Sequence, residues 1–88
     1  MGHEGHDKKH EAKEKRKVEM GKAARVLIEE AIQTATQKVP GKVIEAELEN
    51  KHGKSLWEVE IITSEDRIKK VYVDGETGAL AELEEASR

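Results

Sequence analysis

From residue 42 onward, apolar and polar side chains alternate along the chain. Over 42–49, Ile44, Ala46 and Leu48 point one way while Glu45, Glu47 and Glu49 point the other. Over 55–63, Trp57, Val59 and Ile61 oppose Glu58 and Glu60, and over 67–74, Lys69, Val71 and Val73 oppose Ile68, Lys70 and Tyr72. A period of two is the signature of a strand whose successive side chains face opposite sides of a sheet. Turn residues separate the three runs: Asn50-Lys51-His52-Gly53, then Thr63-Ser64-Glu65-Asp66. Such alternation predicts antiparallel strands with one face packed and the other wet. Asp74-Gly75-Glu76-Thr77-Gly78 closes the third strand. Residues 79–83 fit a short fourth strand, the favoured reading, although Leu80, Leu83 and Ala86 also suit helical spacing.

Ahead of the strands the period changes. Met20, Ala24, Leu27, Ile28, Ala31, Ile32 and Ala35 recur at three- and four-residue steps, which predicts one amphipathic helix over 18–38. Arg25, Glu29, Glu30, Gln33 and Gln37 fall largely off that stripe. Pro40 pushes the residue before it out of helical geometry, and Gly41 permits the turn into the first strand. The predicted fold is therefore α+β: one long N-terminal amphipathic helix packed on one face of an antiparallel sheet of three to four strands. Residues 18–84 form the domain. Residues 1–17 hold Ala12 as their only aliphatic side chain and are predicted to be a flexible, charged, histidine-containing tail. Pairs such as Glu11 with Lys15 favour helix at the end of that tail. Residues 85–88 are read as a C-terminal tail.

Composition limits what this fold can do. Hydrophobic residues make up 35% and charged residues 40%, so the core is small and net stability is expected to be a few kcal/mol. There is no cysteine, hence neither disulfide nor thiolate chemistry. No stretch approaches the ~20 apolar residues of a membrane span. Charge is divided unevenly. Residues 1–22 carry seven Lys/Arg against five Asp/Glu, whereas residues 23–88 carry nine against fourteen. An acidic folded body argues against nucleic acid as a partner.

Three groups of residues invite a chemical reading. His3, His6 and His10 would share a face if helical, and could then hold Zn²⁺, Cu²⁺ or Ni²⁺; the opposing reading is a polar tail without a metal. Trp57 shares its face with Val59 and Ile61, which places it in the core. Tyr72 shares the polar face with Lys70, Glu58 and Glu60, and this group is the candidate contact for a protein partner; otherwise Tyr72 simply covers its cross-strand neighbours. The row Glu45, Glu47, Glu49, Glu58 and Glu60 resembles paired carboxylates. Acid–base work, however, needs a raised pKa in a water-excluding pocket, and a flat wet face predicts neither. With no nucleophile turn, phosphate loop or HExxH motif, the chain does not read as an enzyme.

Residues 31–83 resemble the PepSY domain, named for peptidase propeptides and a sporulation protein. The resemblance rests on the Ala-rich helix ending at Val39-Pro40-Gly41 and on the Val43-Ile44-Glu45-Ala46-Glu47-Leu48-Glu49 run. It is completed by Trp57-Glu58-Val59-Glu60-Ile61 and the Val71-Tyr72-Val73-Asp74 run with Thr77-Gly78 after it. It departs at Ser64-Glu65-Asp66, where the family often places Asp-Gly. The resemblance implies a helix on an antiparallel sheet, no catalytic group, and periplasmic or secreted placement with any signal peptide already removed. It further implies a protein partner such as a secreted or membrane-associated peptidase, which the module inhibits or modulates. A monomer or a weak homodimer through free sheet edges is expected. The alternative function is metal binding through the N-terminal histidines.

Overall fold

A computed structural model describes residues 8–85. In chain order it contains α1 (Lys8–Ala23), α2 (Ile28–Lys38), β1 (Lys42–Lys51), β2 (Lys54–Ile62), β3 (Ile68–Asp74) and β4 (Leu80–Glu85). The strands form one antiparallel meander in the order β1-β2-β3-β4. The fourth segment is thus a strand, with Leu83 opposite Val71 and a register shift between Tyr72 and Val73. The α+β class and the antiparallel sheet agree with the sequence pattern.

The helix does not. Two helices replace the single rod predicted over 18–38, and the break at residues 24–27 has a tertiary cause. The amides of Arg25 and Val26 both donate to the carbonyl of Gly75, at 2.9 and 3.0 Å. Trp57 Nε1 donates to the carbonyl of Val26 at 2.9 Å. These bonds pull the backbone out of the helical ladder and pin it to the end of β3. Leu27 then caps α2 in an extended conformation, and its amide donates to Glu30 Oε1 at 2.9 Å. Leucine has no acceptor, so only this reverse half of a capping box forms.

The break changes which residues are buried. Leu27 and Ile28, placed on the apolar stripe by spacing, are 59% and 38% exposed, while Val26 enters the core. Ala31 and Ala35 have no exposed surface, and their small size brings α2 close to the sheet. α2 packs on β1, β2 and β3 and closes their inner face over Val59, Ile61, Val71 and Val73. Trp57 packs against this core as predicted. Val39, extended ahead of Pro40, bonds its amide to the Ala35 carbonyl at 2.8 Å and ends the helix.

The turns hold this layer in register. His52 and Gly53, at φ 55° and 76°, form a two-residue hairpin loop between Lys51 and Lys54. Asp66 takes a left-handed conformation, φ 61°, at the turn where the resemblance departs from Asp-Gly. Asp74 Oδ1 accepts from the amides of Glu76 at 2.8 Å and Thr77 at 3.1 Å. Those two bonds favour the ionised carboxyl and lower its pKa.

Candidate functional site

α2 leaves the opposite face of the sheet open, and the register dictates what stands there. Glu45 pairs with Glu60 and Glu60 with Lys70, which in turn faces Glu84. In the next row Glu47 pairs with Glu58, Glu58 with Tyr72, and Tyr72 with Glu82. With Glu49, which pairs with Leu56 one row further on, seven glutamates converge on one surface because strand alternation puts them all on the side away from α2.

This face is not uniformly wet, contrary to the sequence reading. Tyr72 is 4% exposed, Leu56 6% and Glu58 8%. Long neighbours cover them. Lys51 Nζ lies 4.3 Å from the centre of the Tyr72 ring and 3.9 Å from Glu82 Oε1. Lys70 Nζ lies 3.3 Å from Glu58 Oε2 and 4.0 Å from Glu60 Oε2. The Tyr72 hydroxyl makes long contacts to Glu58 Oε2 at 3.5 Å and Glu84 Oε1 at 3.3 Å, and its single proton serves one of them at a time. The candidate contact group of Tyr72, Lys70, Glu58 and Glu60 is therefore brought together, but Tyr72 and Glu58 form its floor. The expectation of an exposed tyrosine is corrected: cross-strand cover hides the ring. His3 and His6 lie outside the described residues, and His10 falls in the first turn of α1.

Electrostatics at the floor are unusual for so open a surface. Glu49 is pushed up to about 7, first by the hydrogen bond it shares with Glu58, then by burial and the Glu58 charge. Glu58 moves the other way: the Glu49 bond lowers it most, and Lys70 and Tyr72 add to the effect against the cost of burial. The pair thus holds one proton between two carboxyls. Burial and the charges of Glu58 and Glu84 raise Tyr72. The Glu58 bond raises Lys70. The alternation pattern marks which glutamates share a face, but it carries no signal that Glu49 reaches diagonally to Glu58.

Carboxylate oxygens of Glu47, Glu49 and Glu58 lie within 4.8 Å of one another, a spacing that a hard cation can bridge. In this arrangement the shared proton and Lys70 already neutralise Glu58, so a cation would have to displace both. A carboxyl near neutrality can exchange a proton, yet an open sheet surface does not hold a substrate against it.

The shared proton gives a pH dependence of known sign. Glu49 is raised in the folded chain from its ordinary value of 4.5 to about 7, so its contribution is fully present below the ordinary value and is lost as pH rises through about 7. Glu58 is depressed, so its contribution is present above the ordinary value and is lost as pH falls through its folded value. Thermal melts are expected to show falling stability between about pH 5 and 8. In Glu49→Gln, whose amide donates to Glu58 at every pH, that fall should flatten; an unchanged fall would remove the shared proton from the account.

One face of the sheet closed by a short helix, and the other left open and acidic, define a small α+β domain. The chain belongs to the PepSY family: the family model described as "Peptidase propeptide and YPEB domain" matches residues 25–84, about two-thirds of the chain. Domains of this family are propeptide and inhibitor-like modules, generally non-catalytic, and occur in extracytoplasmic proteins. No curated protein and no solved structure gives a match. Among the described residues no helix is long and apolar enough to cross a membrane.

Proposed function

We propose that this chain is an extracytoplasmic module that binds a secreted or membrane-associated peptidase, or another envelope protein, and restrains it by occlusion. Membership of the PepSY family carries this reading. The geometry supports it with a rigid sheet whose first strand, β1, forms a ten-residue edge. An extended segment of a partner can add to that edge, with main-chain hydrogen bonds giving affinity and alternate side chains giving specificity. A register shift between Val43 and Glu45 interrupts one end, and the pairing is regular from Glu45 to Lys51. Glu45, Glu47 and Glu49 alternate along this edge, so a basic or neutral strand is accepted and an acidic one is repelled.

Occlusion needs no bond chemistry from the module. Adding the purified chain to a panel of secreted metallopeptidases is expected to slow hydrolysis of a small peptide substrate reversibly, with the module left intact. Unchanged rates across the panel at the highest soluble concentration would count out inhibition, and rapid cleavage of the module would make it a substrate instead.

A further inference from the structure

Among the described residues, α1 is the one long element that does not pack extensively on another. Every side chain from Ala12 to Glu19 is exposed, and its last turn is followed at once by the pinned linker at Arg25 and Val26. Its sixteen residues carry seven lysines and arginines against three glutamates. Lys13, Arg16 and Lys17 stand three and four residues apart, so they make one basic stripe that continues to Met20.

The open face of the sheet is its electrostatic opposite. Glu45 and Glu47 are exposed there, and among the described residues neither has a lysine or arginine in ion-pair range. The carboxyl of Glu45 is raised, first by the charge of Glu60, as befits crowded negative charge. The dimensions agree as well. A sixteen-residue helix is about 24 Å long, and strands of seven to ten residues run about 23–33 Å. Ile68, which is exposed, gives this face an apolar component.

We propose that α1 of one copy docks along the open acidic face of the sheet of a second copy, so that the chain self-associates head to tail. The fold argues for a second copy over the chain's own sheet. The linker at 24–27 is bonded to Gly75 and Trp57 on the α2 side, so α1 leaves from the covered face. Reaching its own acidic face would require it to wrap around the end of the sheet and break those bonds. A contact between two different surfaces also leaves each docked copy with one free helix and one free face, so assembly continues with concentration. The inference rests on charge placement and not on the peptidase reading.

Sedimentation equilibrium or light scattering of the full chain tests it. At low salt the average mass should grow with concentration, and added salt should weaken the association at least tenfold because exposed charges are screened. The triple variant Lys13→Glu/Arg16→Glu/Lys17→Glu and the double variant Glu45→Lys/Glu47→Lys should each be monomeric, with circular dichroism confirming that both are folded. Mixing the two should restore a complex, since the basic helix of one then meets the acidic face of the other. A wild-type chain that stays monomeric at low salt would overturn the proposal. So would a mixture that forms no complex, or variants that associate as the wild type does.

Discussion

Replacing Ile61 with alanine is expected to remove most of the domain's stability at room temperature. Ile61 is the largest side chain with no exposed surface, and it sits in the middle strand region that α2 covers. Truncating a fully buried isoleucine costs about 2–5 kcal/mol, the lost transfer energy plus the cavity left behind. A domain of this size holds only about 3–5 kcal/mol of net stability. Urea titration of the wild type and the variant, followed by the fluorescence of Trp57, measures the difference. Ile28→Ala is the control, since Ile28 is 38% exposed and its loss should cost below about 1 kcal/mol. Equal effects at the two positions would mean that α2 does not close the core as described.

Gly41→Ala is expected to be nearly as damaging, for a steric reason. A Cβ at Gly41 would stand against the carbonyl oxygen of Ile62 and 2.6 Å from Ile61 Cγ2. Backbone cannot yield there without parting β1 from β2 at the Lys42–Ile62 pair. Forcing extra volume into a packed site costs about 1–3 kcal/mol, which for a small domain lowers Tm by roughly 4–20 °C. Gly53→Ala separates sterics from backbone conformation, because a Cβ at Gly53 meets nothing within 4 Å while its φ is 76°. A Gly41→Ala melt within about 2 °C of the wild type would contradict the close approach.

Strand faces and turns were legible because each depends on neighbours in sequence, except at Ile44, where the register shift between Val43 and Glu45 turns Val43 onto the core and leaves Ile44 exposed. Alternation placed Val59, Ile61, Val71 and Val73 together, and the structure buries all four completely. His52-Gly53 reads as a hairpin for the same local reason. The helix break was hidden, since Met20, Ala24, Leu27 and Ile28 keep helical spacing straight across it. Its cause lies far along the chain, in the carbonyl of Gly75 and in the indole of Trp57, which is 31 residues from Val26. The floor of the acidic face was hidden in the same way. Tyr72 reads as an exposed aromatic beside Lys70 until the register sets Glu58 against it and Lys51 folds over its ring. Long side chains bury what alternation alone leaves wet.

The central claim is that the free β1 side of a rigid sheet, and not the helix, meets the partner. Amide chemical shifts of the ¹⁵N-labelled chain, recorded while an active-site-blocked secreted metallopeptidase is added, test it most directly. The account predicts shifts and line broadening along Lys42–Lys51 and the adjoining hairpin loop, with α2 unchanged. A spectrum that does not respond to any peptidase tried, or one whose changes are confined to Ile28–Lys38, would contradict it.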